Sequence, residues 1–375
     1  MTNDLYEIVR YTPELKPRVA ELQRELWSSD VDLNRRFLAW KYEESPFAQE
    51  ALVFLALHRG AVVGMRGFNR GSWEAGTPSR AFPVWMAGDA LVSHVHRDRG
   101  LVTRIMRAAH AELAGRDCRY LISVAPSRIN TFGLLTLGWK SVGGLRPMGR
   151  AGARAARIRR VRRIVGRLPF FWRYRDARFL RSADERRPFR QLDSAAQGDS
   201  IVAEKTPRVD DMAELIASLG HDGRIRHVRN RDYLAWRFRN PLNDYRFLFW
   251  EGSRLEGYLV LTHRASDLGS WDRVYIADLE ARDPRIRSEL LAAAVHRGRF
   301  SELVTWTASL SEDELSGLAS LGFTAVDPED AARGCPCVLV RAAGDEPSTS
   351  EWVIEGRPVL DSRSWDVRVL YSMRG

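Results

Sequence analysis

The chain has 375 residues, of which 45% are hydrophobic and 28% charged, and a formal net charge of +10. This composition is typical of a globular protein and excludes extensive disorder, and the length is sufficient for two domains. The first residues are charged where an export signal needs an apolar run, and no later apolar run reaches membrane-spanning length. Because the three cysteines form neither a disulfide framework nor a metal-ligand pattern, we expect a soluble, cytoplasmic protein without a metal.

The positive charge is concentrated in one segment. Between residues 146 and 190 there are sixteen arginines and three acidic residues, a local excess of +13, so the remainder carries about −3. Within it, residues 157–165 have apolar and arginine residues spaced as in a basic amphipathic helix. We interpret this helix as a linker lying on an acidic domain surface. Contact with an anionic membrane surface or with nucleic acid are the alternatives.

In chain order, the first elements predicted are a strand at 6–10, a helix from Thr12 and a short aromatic helix at 33–42. Two strands, 52–57 and 61–68, follow and are joined as a hairpin. In the next stretch the spacing of the apolar residues changes from that of a strand to that of a helix. It predicts a strand that continues to Val95, a turn at 97–100, and an amphipathic helix that begins at Leu101. A strand at 120–124 and a helix from Asn130 to Leu137 complete this part, which closes on Leu137-Gly138-Trp139.

The turn at 97–100 has the properties of a phosphate-binding site. The first backbone N–H groups of a helix have no acceptor within the helix and lie at the positive end of its dipole. Gly100 allows a close approach of the backbone, and Arg97 and Arg99 add positive charge. The sequence therefore predicts that an anionic group binds at the start of this helix.

The second half of the chain repeats the first. Residues 230–238, NRDYLAWRF, match residues 34–42, NRRFLAWKY, by identity or by aromatic or basic substitution at every position except Asp232, which stands opposite Arg36. A hairpin, a strand at 274–279, a helix from Ser288 and a strand at 303–306 follow in the same order, and Leu321-Gly322-Phe323 closes the copy. We infer two tandem copies of one fold, in which Trp40 and Trp236 are core residues.

The order of elements, the glycine turn, the Asn130 helix and the Leu-Gly-aromatic end resemble the GNAT acyl-CoA N-acyltransferases, over residues 5–149 and more faintly 199–341. The cofactor loop of that family, Arg/Gln-x-x-Gly-x-Gly/Ala, stands here as Arg97-Asp98-Arg99-Gly100-Leu101-Val102, with valine at the last small position. The resemblance implies an α/β (α+β) fold of two tandem domains, each a mixed, mostly antiparallel central sheet flanked by helices. Residues 1–150 form the acetyl-CoA-binding domain, 151–195 the Arg-rich linker, 196–343 a degenerate second domain and 344–375 a tail.

The resemblance also implies site residues. Acetyl-CoA is the expected co-substrate, bound by Val95 near the strand edge, by Asn130, and by the loop residues Arg97, Asp98, Arg99, Gly100, Leu101, Val102 and Thr103. Asp89 stands where many family members have a catalytic or water-orienting acid. His94 and His96 have side chains suited to a proton shuttle, although a polar strand end near solvent explains them without chemistry.

Two positions depart from the family pattern. Leu134 replaces the tyrosine that often protonates the leaving thiolate. The second copy has Arg282-Asp283-Pro284-Arg285 where the glycine turn would lie, and proline removes one amide donor, so we expect no CoA there.

The sequence thus predicts an enzyme that transfers acetyl from acetyl-CoA directly to a primary amine of a small metabolite or amino sugar. One alternative is a non-catalytic module that binds nucleic acid or an acidic partner through the Arg-rich linker. Another is an aminoacyl-RNA-dependent transferase. The sequence leaves the oligomeric state open.

Overall fold

A computed structural model describes residues 5–47, 50–152, 189, 192, 200–264, 273–298, 300–326, 336–344 and 352–372. The strands of the first half are β1 (Tyr6–Arg10), β2 (Leu52–His58), β3 (Ala61–Ala75), β4 (Arg80–Val92), β5 (Tyr120–Val124), β6 (Lys140–Gly144) and β7 (Pro147–Ala151). Those that follow are β8 (Ile201–Glu204), β9 (Arg226–His227), β10 (Asn243–Glu251), β11 (Leu255–Arg264), β12 (Arg273–Ala281), β13 (Glu302–Trp306), β14 (Thr324–Ala325), β15 (Cys337–Ala342), β16 (Val353–Ile354) and β17 (Arg357–Pro358).

Eight α-helices flank the strands within the described ranges. They are α1 (Lys16–Leu22), α2 (Val31–Leu38), α3 (Leu101–Leu113), α4 (Arg128–Leu135), α5 (Val209–Leu219), α6 (Arg231–Arg237), α7 (Pro284–Arg297) and α8 (Glu312–Ser320). In α3 the buried residues Leu101, Ile105, Ala109 and Leu113 recur every four positions, which confirms the predicted apolar face. No helix among the described residues is long and apolar enough to cross a membrane.

The strands form two mixed, mostly antiparallel sheets. The first has the order β1-β2-β3-β4-β5-β15-β6, with β9 paired to β3, and the second has the order β14-β7-β13-β12-β11-β10-β8. One parallel pair occurs in each sheet, β4 with β5 and β12 with β13. The predicted fold class, two flanked sheets in tandem, is confirmed.

Each half contributes to the sheet of the other: β9 and β15 of the second half join the first sheet, and β7 of the first half joins the second. Strand β15 lies between β5 and β6 and is antiparallel to both. Strand β7 pairs with β13 and β14. The domain limits predicted at residues 150 and 343 divide the chain by sequence position. The two sheets do not follow this division, because each sheet contains strands from both halves.

The repeat inferred from the sequence is visible as internal symmetry. The Trp40 and Trp236 rings stack with centroids 4.7 Å apart. The indole N–H of Trp40 donates to the Trp236 carbonyl at 2.8 Å, and that of Trp236 to the Trp40 carbonyl at 2.7 Å. Both tryptophans are core residues, as predicted. The closing glycines also correspond, since Gly138 and Gly322 have φ angles of 82° and 83°.

The C-terminal residues 352–372 are part of the core that the two halves share. Trp352, Trp365, Leu370 and Tyr371 are buried in the same apolar cluster as Trp40 and Trp236. No role for this tail is predicted from the sequence. It contributes apolar surface that joins the two copies.

Several predicted elements have different bounds, among them two strands of the first sheet and the helices α4 (Arg128–Leu135) and α7 (Pro284–Arg297), which begin before the predicted Asn130 and Ser288. Strand β3 extends to Ala75, beyond the predicted end at Phe68. Strand β4 ends at Val92 and not at Val95, and His94–His96 form a short 3-10 turn. The Arg-rich segment, apart from residues 151, 152, 189 and 192, lies outside the described residues, so its predicted helix stays a prediction.

Candidate active site

A β-bulge in β4 opens a cleft in the first sheet. Arg66 of β3 lies opposite Ala90, and Gly67 opposite Gly88, so Asp89 is the additional residue of the bulge. Its φ angle of 28° is unusual for a residue other than glycine, and such angles are concentrated at functional sites. The bulge also breaks the alternation that would have placed Asp89 on one strand face with Leu91 and Ser93.

The cleft separates β4 from β5 after a short parallel contact. The two strands pair at Trp85 with Leu121 and at Met86 with Ile122. Beyond this point, residues 86–90 line one wall and residues 123–126 line the other. The remaining lining residues come from other elements: Leu26, Trp27, Lys41, Arg66, Asn69, Asn130, Tyr371 and Ser372.

Asp89 lies in this cleft with both carboxylate oxygens engaged. Lys41 Nζ donates to Oδ1 at 2.8 Å, and the Tyr42 hydroxyl donates to Oδ2 at 2.9 Å. The Asp89 side chain has no exposed surface and that of Lys41 is 1% exposed. Burial, with the nearby Asp89 charge, raises the pKa of Tyr42 well above its usual value, so its hydroxyl stays a donor.

Two glycines make room for this group. A Cβ atom on Gly67 would lie 1.9 Å from the Tyr42 hydroxyl oxygen, and one on Gly88 would lie 2.7 Å from Lys41 Nζ. Neither position accepts a larger side chain while the group keeps this geometry. The sequence analysis identified Asp89 but missed its partners Lys41 and Tyr42.

The amino end of α3 has the properties predicted for a phosphate site. Gly100 caps the helix in the left-handed conformation, with φ at 68° and no side-chain cap. Apart from its neighbours in the chain and the backbone of the helix, no heavy atom of the described residues lies within 4 Å of a Cβ built there. The first-turn N–H groups of Leu101, Val102 and Thr103 therefore point into open space without intrahelical acceptors. This geometry fits a pyrophosphate.

The side chains around this helix end vary in exposure. Arg97 Nε donates to the Val92 carbonyl at 3.3 Å, and Arg99 lies over the Tyr6 ring at 6.0 Å. Asp98 is exposed, so its carboxylate can lie in solvent away from a bound phosphate. Val102 is 46% exposed and leaves the approach to the helix end open.

The two histidines and Val95 lie outside the cleft lining. The Glu25 carboxylate accepts from the backbone N–H of His94 at 3.1 Å and lies 3.2 Å from His94 Nδ1. His96 Nδ1 is 3.0 Å from the Tyr6 hydroxyl. Partial burial, His58 and Arg99 lower the pKa of His96. Val95 is 60% exposed in the turn that follows β4, and so is not part of the strand edge where it was expected.

Helix α4 begins next to the cleft. The Ser127 hydroxyl caps it by accepting from the Asn130 backbone N–H at 3.4 Å, and Asn130 itself lines the cleft. Leu134 is 3% exposed and packs in the core beneath α3. This helix therefore places Asn130 at the site and supplies no hydroxyl group at position 134.

The corresponding region of the second half is closed by its own side chains. Asp278 accepts from both Arg229 at 3.0 Å and Arg368 of the tail at 2.7 Å. Arg368 also donates to the Leu279 carbonyl at 2.9 Å. At the start of α7, the Asp283 carboxylate accepts from the Arg285 N–H at 2.6 Å and Pro284 has no N–H. The start of α7 therefore has one amide fewer than that of α3, and a second amide is occupied by the helix's own cap.

No family model and no curated protein sequence matches the chain. Solved structures that are similar to it include the following three. A GCN5-related N-acetyltransferase from Anabaena variabilis is 11% identical, with a TM-score of 0.55 over 90% of this chain and 73% of that one. A putative acetyltransferase from Pyrococcus horikoshii is 13% identical, with a TM-score of 0.50 over 91% of each chain. A probable N-acyltransferase from Enterococcus faecalis is 9% identical, with a TM-score of 0.54 over 90% and 72%. The chain has the GNAT fold.

Proposed function

We propose that the protein is an N-acyltransferase that moves acetyl from acetyl-CoA to a primary amine of a small metabolite or amino sugar. The observation that carries this proposal is the cleft between β4 and β5. It has the buried carboxylate of Asp89 in its wall, and β4 continues to the uncapped amino end of α3. Such a transfer requires an anion-binding site for the cofactor and an acidic group that accepts a proton. One strand-turn-helix unit contains both.

The chain's own residues have separate roles in this proposal. The amides of Arg99 to Thr103, with Arg97 and Gly100, bind the pyrophosphate, and Asn130 contacts the arm that enters the cleft. When bound, acetyl-CoA supplies the activated acyl thioester. Asp89 accepts the proton of the acceptor ammonium group, because each of its oxygens retains a free lone pair. Lys41 and Tyr42 hold the carboxylate in one orientation. His94 and His96 lie outside the cleft lining and have no role here.

Transfer is proposed to be direct, without an acylated enzyme. No cysteine is among the residues that line the cleft. Burial raises the pKa of the Cys118 thiol to about 11, so it is not a thiolate near neutral pH. The amine itself is therefore the nucleophile.

Calorimetry with acetyl-CoA tests the proposed anion-binding site at the amino end of α3. Gly100→Glu places a carboxylate at the helix start and should weaken binding at least about tenfold. Gly60→Glu is the matched control. Gly60 also has a positive φ, and no atom of the described residues, apart from its chain neighbours, lies within 4 Å of its Cβ position. It lies in the β2–β3 hairpin and not at a helix start. Equal binding by Gly100→Glu and wild type, or no binding by wild type, contradicts the cofactor assignment.

Release of free CoA with a library of amines tests the reaction. Asp89→Asn should lower kcat by about a hundredfold or more, since general-base catalysis contributes that much. Tight nucleic-acid binding that falls steeply with salt, without CoA release, would favour the non-catalytic alternative instead.

A further inference from the structure

Arg66 is a buried arginine without a partner. It lies in β3 and is 5% exposed. Its Nε and Nη2 atoms are buried and form no hydrogen bond, and no ion pair to Arg66 is present, among the residues that the structure describes. Its contact is with the Phe68 ring, 5.7 Å from the guanidinium carbon. A buried guanidinium normally has several acceptors, so this one requires an explanation.

Two other buried arginines, Arg237 and Arg229, have several acceptors. Arg237 is fully buried and donates to the Leu370 carbonyl at 2.9 Å, to the Tyr245 hydroxyl at 2.7 Å and to the Ser372 carbonyl at 2.9 Å. Arg229 donates to Asp278 and Glu280. The missing acceptors at Arg66 distinguish it from these two arginines.

Arg66 faces the cleft, and the charge of the cleft lining is unbalanced. Lys41 and Arg66 are its cations, and Asp89 is its anion. Both oxygens of Asp89 are already engaged by Lys41 and Tyr42. Among the described residues that line the cleft, the cations therefore outnumber the anions by one, and burying this excess charge is unfavourable until an anion binds.

Among the residues that the structure describes, no other group near Arg66 supplies this anion. Burial lowers the pKa of His110 to about 4, with the charges of Arg341 and Arg66 acting in the same direction, so its imidazole is neutral near pH 7. The phosphates of acetyl-CoA are assigned to the start of α3, and both its pantetheine arm and its acetyl group are uncharged.

We propose that Arg66 binds a carboxylate group carried by one of the two substrates at the reacting end of the cleft. A carboxylate matches the planar fork of a guanidinium and accepts two parallel hydrogen bonds. The inference rests on the proposed acyltransferase function and adds the chemical class of a substrate. The carboxylate has two possible sources, a dicarboxylic acyl group on CoA or an amino-acid acceptor.

Two arms distinguish these sources with the full-length protein. In the first, calorimetry compares succinyl-CoA with butyryl-CoA, which has the same chain length without the charge. In the second, kcat/KM for CoA release from acetyl-CoA compares each amino acid of a panel with its carboxamide. Wild type should prefer the carboxylate by about tenfold or more in one of the two arms.

Arg66→Met should abolish that preference, and Arg66→Lys should retain part of it, because lysine keeps the charge but not the fork. Arg70→Met is the control, since Arg70 lies on the same strand outside the cleft lining, and it should keep the preference. The melting temperature of ligand-free Arg66→Met should rise, because an unpaired buried charge is removed.

Three results overturn the proposal. One is a wild-type preference below about twofold in both arms, which needs no variant. Another is a preference that survives in Arg66→Met or, if that variant does not fold, is unchanged in Arg66→Lys. The third is a wild-type protein that binds no acyl-CoA, which overturns the proposed function as well. Binding of acyl-CoA without a carboxylate preference overturns this inference alone.

Discussion

Asp89 and Asp278 are corresponding residues of the two copies, but they have different partners. Asp89 is held by Lys41 and Tyr42 of its own half and lines an open cleft. Asp278 is held by Arg229, by Tyr258 and by Arg368 from the tail. The second carboxylate is thus enclosed by two guanidinium groups, whereas the first has one ammonium and one hydroxyl partner.

The helices that follow these strands differ in the same way. Gly100 leaves the amino end of α3 without a side-chain cap, and Asp283 closes that of α7 with its own carboxylate. A carboxylate cap stabilises the helix and repels an anion, so the start of α7 favours stability, whereas the start of α3 stays open to the anion of the proposed function. The second copy thus has internal contacts at positions where the first has groups that the proposal assigns to a ligand.

The largest expected effect concerns the buried pair in the first half. Lys41→Met leaves the Asp89 charge buried without its cation and should lower the free energy of unfolding by about 3–5 kcal/mol. Urea denaturation measures it. The double variant Lys41→Met/Asp89→Asn should recover most of the loss, because the charge is removed together with its partner.

The second half provides the matched test. Arg229→Met should cost less than Lys41→Met, because Arg368 still donates to Asp278 and pairs with Glu280 at 2.9 Å. A larger loss for Arg229→Met would contradict the view that the tail stabilises this carboxylate independently.

A smaller effect depends on pH and on His227, which β9 places in the shared core. Burial lowers the pKa of His227 to about 4, whereas an unfolded histidine titrates near pH 6.5. Between these values the unfolded chain binds a proton that the folded chain does not, so stability falls as pH decreases through this window. The loss amounts to about 3 kcal/mol by pH 4.

His227→Phe should therefore flatten the dependence of the urea midpoint on pH between about 6.5 and 4. Some dependence should remain, because His110 also has a pKa lowered by burial to about 4. His94→Gln is the control, since the His94 side chain is 69% exposed, and its profile should follow wild type. An unchanged profile for His227→Phe would show that this histidine is not neutral in the fold.

Local patterns in the sequence predicted the elements and the repeat. The match of residues 34–42 with 230–238 identified two copies, and Gly100 marked the start of α3, because a left-handed residue before an apolar helical stripe is a local signal. The exchange of β7 and β15 has no such signal, since the pairing partner of a strand is set by long-range contacts. The bulge at Asp89 depends on β3 as much as on β4, so β4 alone did not reveal it.

The cleft residues that were missed left weaker traces. Arg66 is a charge within an apolar strand, and Lys41 occupies the position of Arg237 in the repeat. Arg66 and Lys41 are charged residues in largely apolar segments, which marks them as unusual. Neither position predicts which residue is its partner. The tail contains Trp352, Trp365 and Tyr371 in a short polar stretch, a composition that indicates burial without indicating where.

The smallest expected effect compares the caps of α4 and α8, the last helix of each copy. Ser127 accepts one long hydrogen bond, from the Asn130 N–H at 3.4 Å. Ser311 forms a full capping box, in which its hydroxyl accepts from the Glu314 N–H at 3.3 Å and the Glu314 carboxylate accepts from the Ser311 N–H at 2.8 Å.

Ser311→Ala should therefore lower the free energy of unfolding by about 1 kcal/mol, and Ser127→Ala by about 0.5 kcal/mol. Urea midpoints of the two variants, with Ser311→Thr as a variant that keeps the hydroxyl acceptor, measure the difference. The α4 cap lies beside the cleft, where Asn130 is available to a ligand, so saturating acetyl-CoA should change the ratio of the two losses by stabilising α4. If acetyl-CoA does not change the ratio of the two losses, the start of α4 makes no contact with the ligand. Asn130 would then not be a binding residue.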